Sequence, residues 1–274
     1  MKITVITTCF NRVRSIGAAM ESVLGQDYDD VEYIIVDGAS SDGSVEEIRR
    51  MEALTQGEAF RRAHPRFVLR VVSEPDHGMY EAINKGIRMA TGEVIGLLHS
   101  DDVLYTPRTL SGVMAAVEAS GCDFLYADGI YVSEQNPQRV RRVWKGGRYT
   151  KWKVRHGWLP LHTTCYIKRA TMERLGLYDE TFRIAADSDL LVRYLLESDL
   201  RVHYLPQCVV RMNMGGLSTN RRKQIEMFAE DRRVYSSHHF RHARITKIEK
   251  MAWKVPQFLL AVLVNLRGAV GGRP

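Results

Sequence analysis

Gly92–Leu104, GEVIGLLHSDDVL, is the stretch on which the reading of this chain turns. Val94–Leu98 is a short apolar run without helical periodicity, bounded by turn residues, and it stops abruptly at His99-Ser100-Asp101-Asp102. Such a run reads as a strand buried on both faces, as in the middle of a parallel sheet. Two adjacent carboxylates at its carboxyl end then stand where open α/β sheets place their ligands. Paired aspartates there can hold a hard divalent cation, with water and phosphate oxygens completing the shell. A capped strand end followed by an acidic turn is the plainer alternative.

The pattern repeats upstream. Lys2–Thr8 is a β-branched run followed by Cys9-Phe10-Asn11-Arg12, and from Ser15 a helical pattern puts Ile16, Met20, Val23 and Leu24 on one face. Val31–Val36 gives a second strand that ends in Asp37-Gly38-Ala39-Ser40-Ser41-Asp42-Gly43, where Asp42 or Ser44 can cap a helix through Leu54. Phe67–Val72 is a third, running into Ser73-Glu74-Pro75-Asp76-His77-Gly78 and a helix with Ile83, Ile87 and Ala90 inward. Downstream, Thr106-Pro107 opens a helix through Ser120. Strands alternating with helices build βαβ units and an α/β fold. The carboxyl edge of the sheet then collects Asn11, Asp37, Asp76, Asp101 and Asp102, which suits a ligand rich in hydrogen-bond donors whose phosphates reach a cation.

From Phe124 the character changes. Phe124–Val132 reads as two short strands bent at Asp128-Gly129. Val140–Gly157 is basic and, with Trp144, Tyr149, Trp152 and neighbouring Trp158, fits either a platform for a sugar or lipid-linked phosphate or a partly ordered loop with half-buried aromatics. His162–Ile167 reads as a strand with His162 as a core histidine, and Ala170–Leu175 as a short helix closed by Gly176. Asp187-Ser188-Asp189 opens a helix with Leu190, Leu191, Tyr194 and Leu195 inward, and Val202–Leu205 and Val209–Asn213 are late strands. Gly215-Gly216 is a turn or a mobile lip over the site.

Composition bounds the class. A 274-residue chain with 45% apolar and 26% charged residues can bury a sizeable core as an ordinary globular protein. Cys9, Cys122, Cys165 and Cys208 lie far apart without C-x-x-C spacing, so neither a disulfide framework nor a zinc site is expected, and a reducing, cytoplasmic setting is. The opening MKITVITT leads straight into a strand, so no signal peptide is expected, and no apolar stretch has the length of a spanning helix. The net charge of +7 is concentrated at the end: residues 220–274 hold 12 Lys or Arg against 4 Asp or Glu, and residues 1–219 hold 27 against 28. The division expected is a main domain over 1–219, with halves 1–123 and 124–219, and a basic helical extension over 220–274. With no nucleic-acid motif, no nucleic-acid partner is expected. Phe258–Leu266, FLLAVLVNL, is too short to span a bilayer. It could lie in the interface, giving peripheral membrane contact through 254–267, or pack on the main domain or on a second copy in a homodimer.

Five blocks, taken in order, resemble the family 2 glycosyltransferases: VITTCFNR, IIVDGASSDGS, SEPDHGMYEAINKGIRMATGEVIGLLHSDD, GLYDETFRIAADSDLLVRYL and MNMGGLST. They cover roughly residues 1 to 220, and the third is the most specific. The resemblance implies the GT-A fold, with a central mixed, mostly parallel sheet flanked by helices, and a nucleotide-diphospho-sugar donor, most often a uridine one. It implies further that Thr8, Phe10 and Asn11 line the base pocket, that Asp37 accepts from the base, and that Asp76 and Lys85 lie near base and ribose. Asp101 would reach the ribose or donor sugar, and Asp102 would ligate Mn2+ or Mg2+ bridging the diphosphate. Two positions depart from the family pattern. Gly38 stands where the second acid of an Asp-Asp pair is usual, and Ser100 where an Asp-x-Asp sequence has its first acid.

The chemistry gives these roles a reason. Displacing a nucleoside diphosphate from an anomeric carbon builds negative charge on the leaving phosphates, which a divalent ion offsets. The acceptor hydroxyl must lose its proton during attack, so a carboxylate within reach serves as general base. Asp187 matches the aspartate of the family's Glu-Asp motif, although Ala186 precedes it; Asp189 is the competitor, and either could instead cap the helix. A single base without a second nucleophile implies inversion. The expected enzyme is a non-processive, metal-dependent glycosyltransferase with a glycan or lipid-linked acceptor, acting in surface polysaccharide or glycolipid assembly. A sugar-phosphate nucleotidyltransferase would need a glycine-rich loop after strand one, and TTCFNRVRS has none. A catalytically silent nucleotide-sugar-binding scaffold is the remaining alternative.

Overall fold

The computed structural model describes residues 1–197, 199–214, 221–240 and 242–270. The first half runs β1 (Ile3–Cys9), α1 (Ile16–Leu24), β2 (Val31–Asp37), α2 (Ser44–Gln56), α3 (Glu58–Ala63), β3 (Val68–Ser73), α4 (Met79–Met89), β4 (Val94–Leu97), β5 (Val103–Leu104) and α5 (Thr109–Ser120). The second half adds β6 (Phe124–Ser133), β7 (Asn136–Trp144), α6 (Lys151–Arg155), a 3₁₀ turn at His162–Thr164, β8 (Cys165–Lys168), α7 (Arg169–Leu175), α8 (Ala186–Leu196) and β9 (Val202–Met214). Three helices follow: α9 (Arg221–Ser237), α10 (Ala243–Ala252) and α11 (Val255–Val270).

The strands form one mixed sheet in the order β3-β2-β1-β4-β8-β6-β9-β5, with β7 paired to β6. β3, β2, β1 and β4 are mutually parallel, as βαβ units require. β8 then enters antiparallel between β4 and β6. The near-continuous apolar strands are explained by helices on both faces. Ile6, Ile34, Val36, Ile95 and Leu97 face one core with Ile83 and Ile87 of α4 and Leu190 and Leu191 of α8. Their alternates Ile3, Val5, Tyr33, Ile35 and Val94 face a second core with Met20 of α1, Ile48 of α2 and Val113 of α5.

Gly96 lies in β4 because Tyr166 of the neighbouring β8 packs its ring across that position: a Cβ there would stand 2.6 Å from the ring. The two expected strands within Phe124–Val132 are one strand, whose register shifts around Asp128 without ending it. The two late strands are likewise one, β9, which pairs with β6 along its length and with β5 near its end. His162–Thr164 is a 3₁₀ turn, not strand. Of the two readings of Val140–Gly157, an exposed aromatic platform and a loop with half-buried aromatics, the platform does not form. Trp144 and Trp158 are core residues beside Tyr126, the Tyr149 hydroxyl donates to Leu195 O, and Trp152 alone of the four stays exposed. The Gly215-Gly216 lip falls outside the described residues.

α11 packs on β7. The Asn265 side chain accepts from Val140 N (3.1 Å) and donates to Val140 O (2.7 Å), covering an edge that would otherwise be free to pair with another chain. Among the described residues no helix is long and apolar enough to cross a membrane. Gly96→Val should overpack the β4–β8 contact and cost about 1–3 kcal/mol, read as a lower urea midpoint; an unchanged midpoint would show that Tyr166 does not hold that position.

Candidate active site

Each parallel strand ends at a polar loop, and the loops are tied to one another. Asp37, fully buried at the end of β2, accepts from Ser40 N (3.0 Å), Ser40 Oγ (2.5 Å) and Ser73 Oγ (2.7 Å), which fixes the β2 and β3 loops together. Asn11 adopts a positive φ of 52°, a conformation asparagine tolerates, and its side chain accepts from Ser41 N (3.0 Å) while its N–H donates to Ser40 Oγ (2.8 Å). Phe10 is 60% exposed beside them, and Thr8 precedes it on β1. An exposed aromatic ring on a hydrogen-bonded loop suits stacking against a planar base.

The missing acid at position 38 has a spatial explanation. A Cβ on Gly38 would lie 2.5 Å from Asp76 Oδ2 and 3.3 Å from the Phe10 ring, so the Asp76 carboxylate takes the room that a side chain there would need. Asp76 Oδ1 accepts from Gly78 N (3.0 Å), and burial raises its pKa. Lys85 on α4 pairs with Glu74 at 2.5 Å, on the same loop as Asp76.

Asp101 and Asp102 follow β4. The Asp102 side chain is 2% exposed; its N–H donates to His99 O (3.1 Å), and Oδ1 accepts from Asn213 N at 3.3 Å. The Asn213 side chain donates to Asp101 O (2.7 Å), so the end of β9 clamps the turn. Asp102 Oδ2 is buried and meets no hydrogen-bond donor. Burial and the Asp101 charge push the Asp102 pKa well up, and an unmatched carboxylate oxygen of this kind fits a divalent cation. Among the described residues no three His, Cys, Asp or Glu side chains converge as a metal cage, so such an ion would take Asp102 and complete its shell from ligand and water.

Asp187 sits in the first turn of α8, its side chain 29% exposed, with Oδ1 accepting from Ser188 N (2.7 Å). Asp187 Oδ2 is 3.6 Å from His162 Nδ1, and His162 Nε2 is 3.0 Å from His99 Nε2. A line of side chains thus joins Asp187 to the turn that carries Asp101 and Asp102. Burial pushes both imidazoles down, to about 4, so near pH 7 they are neutral and their contact is donor to acceptor. Burial raises Asp187, which makes it a stronger base than a solvated aspartate. Asp189 is engaged elsewhere: its carboxylate meets His238 Nε2 at 2.8 Å and Arg193 at 3.4 Å. Sequence reasoning passed over His99, Asn213 and the helical extension as parts of this site. His99 lay in the decisive stretch, but an isolated histidine carries no signal until its partner is located.

A parallel block crossed by an antiparallel half, with acidic loops along one edge, is a nucleotide-sugar transferase architecture of the GT-A type. The family model for glycosyl transferase family 2 matches residues 4–180. The chain belongs to glycosyltransferase family 2. A PGL/p-HBAD biosynthesis glycosyltransferase of Mycobacterium bovis is 28% identical over 217 residues, 78% of each chain. Among solved structures, S. aureus TarS 1-349 in complex with UDP-GlcNAc superposes with a TM-score of 0.65 at 17% identity, over 86% of this chain and 66% of that one. This chain spans 39% of the longer TarS crystal structure. The mannosyltransferase PcManGT from Pyrobaculum calidifontis, in complex with GDP-Man and Mn2+, gives a TM-score of 0.64 at 18% identity, covering 100% of this chain and 76% of that one. At such identities the structural likeness establishes the fold.

Gly38→Asp should displace the Asp76 carboxylate from its bond to Gly78, at a cost of about 1 kcal/mol. Asp76→Ala should cost a similar amount alone, and in the double variant the two costs should not add. Additive losses in thermal denaturation would show that the two positions do not compete for one space.

Proposed function

We propose that the protein is an inverting, non-processive glycosyltransferase that moves a sugar from a nucleotide-diphospho-sugar, in the first instance a UDP-sugar, to a hydroxyl of a glycan or lipid-linked acceptor. The observation that carries this reading is the connected line from Asp187 through His162 and His99 to the turn whose Asp102 oxygen lacks a partner. It brings a base and a cation ligand into one cluster. Phe10, with Thr8 and Asn11, receives the base; Asp37 and Asp76 take its hydrogen bonds, Lys85 lies toward the ribose, and Asp101 holds the ribose or donor sugar. Asp102 would hold Mn2+ or Mg2+, which would supply positive charge to offset that of the leaving diphosphate.

Asp187 accepts the proton of the acceptor hydroxyl as that oxygen attacks the anomeric carbon. Asp189, bound to His238 and Arg193, is not free to act as a second nucleophile, which favours one direct displacement and inversion. An acceptor in surface polysaccharide or glycolipid biosynthesis is supported by the likeness to the mycobacterial PGL/p-HBAD biosynthesis glycosyltransferase. Asp187→Asn should leave UDP affinity unchanged and lower transfer by roughly two to four orders of magnitude; an active variant would remove Asp187 from the mechanism.

A cytoplasmic enzyme at the inner face of the membrane is supported by four unpaired cysteines and by the last helix. Phe258, Leu259, Val262, Leu263 and Leu266 of α11 are each 46–63% exposed, in a segment whose basic surplus suits anionic lipid. Deleting α11 would also uncover β7, so charges on the open side are the cleaner test. Leu259→Glu with Leu263→Glu should abolish co-sedimentation with phosphatidylglycerol vesicles and preserve the melting temperature. Binding that survives would exclude this face, and a dimer that the variant converts to monomer would assign it to a second copy.

A further inference from the structure

The C-terminal helices close on the segment that carries Asp187. Glu230 of α9 accepts the backbone N–H groups of Arg183 (2.9 Å), Ile184 (2.8 Å) and Ala185 (2.8 Å), the three residues before α8. Arg233 donates to Thr181 Oγ1 (2.7 Å) and lies over the Phe182 ring (4.2 Å). From α10, Lys250 donates to Ser188 Oγ (3.1 Å) and to Asp231 Oδ1 (2.7 Å), while Lys247 meets the other oxygen of Asp231. Ser188 in turn donates its N–H to Asp187 Oδ1. The Asp231 side chain is 1% exposed and that of Lys250 18%. Two ammonium groups against one carboxylate leave one net positive charge in a shielded place, one residue from the base.

We propose that Lys250 is a positioning residue for transfer: fixed by Asp231 and seated on Ser188, its ammonium holds the Asp187 carboxylate in place as an anion. The inference rests on the reading of Asp187 as the base. It makes the extension a working part of the active site. The other groups facing Asp187 do not supply the charge. Burial pushes up Tyr80 of α4, Tyr131 of β6, Tyr178, Tyr235 of α9 and the Cys165 thiol of β8, so all stay neutral. His99 and His162, pushed down to about 4, are neutral as well. Asp231 is an anion and works the other way. Burial alone would lower Lys250, but the Asp231 and Asp187 carboxylates act against it and keep the ammonium charged. Burial likewise raises Asp187, and Lys250 is the largest influence opposing that rise.

The test is a carboxyl carbon-13 NMR titration of the full-length chain labelled at aspartate, with the Asp187 resonance assigned by its loss in Asp187→Asn. Lys250→Met should move the Asp187 midpoint up by about one pH unit, and Lys250→Arg should restore it. Asp231→Asn should move it down, because both ammonium groups then act without their counter-charge; a merely structural role would not reverse sign between the two variants. Calorimetry with UDP should find the same affinity in all three. An unmoved midpoint in Lys250→Met, or shifts of the same sign in both variants, would overturn the proposal; should Lys250→Met not fold, Lys250→Gln is read in its place, with the same upward shift expected. Retained transfer in Asp187→Asn would refute the base itself and leave the titration result standing, so the two failures are distinct.

Discussion

A carboxylate withdrawn from water with one oxygen unmatched is the constraint on which this site depends. Asp102 reaches that state because β4 is buried on both faces, its glycine admits Tyr166 of β8, and Asp102 itself stays buried in the turn that follows Ser100. Leaving such an oxygen unmet costs about 1–3 kcal/mol or more, and a proton or a cation removes the cost. Asp101, next in the chain, makes the proton easier to bind and the cation more strongly attracted. The parallel half of the sheet thus carries a buried carboxylate whose charge is unmatched within the protein.

The second half supplies the restraints. β9 runs along β6 and finishes beside the turn after β4, where Asn213 grips both Asp101 and Asp102. The 3₁₀ turn before β8 brings His162 between His99 and Asp187. α9 and α10 then seize the segment 181–188 with a carboxylate, a guanidinium and an ammonium. Groups distant in sequence are joined through short hydrogen bonds and packed rings, so the position of Asp187 depends on residues more than 40 places further along the chain.

The sequence made the parallel half legible because its signals are local. Apolar runs such as Val31–Val36 stop at Asp-Gly or His-Ser-Asp-Asp, and each stop coincides with a strand end in the structure to within a residue or two. What was not local was not legible. Asp128-Gly129 looks like a break, but β9 takes up the irregularity with extra residues between Leu205 and Val210, and β6 continues. Trp144 and Trp158 sit in a basic stretch that left a surface and a half-buried reading open, and the contacts of Trp158 with Tyr126 and with Trp144 take both inside. His162 seemed a solitary core histidine because nothing in the chain announces that His99 lies 3.0 Å away. Lys250 and Glu230 read as part of a solvated basic tail until their partners on the α8 segment are seen.

The central claim is that the Asp102 turn and the loops after β1, β2 and β3 form one nucleotide site completed by a divalent ion. Calorimetric titration of UDP into the purified protein, with Mn2+ and then with EDTA, tests it most directly. The account predicts micromolar binding that disappears with EDTA and is absent in Asp102→Ala. Binding of equal strength with EDTA, or full Mn2+-dependent affinity in Asp102→Ala, would contradict it.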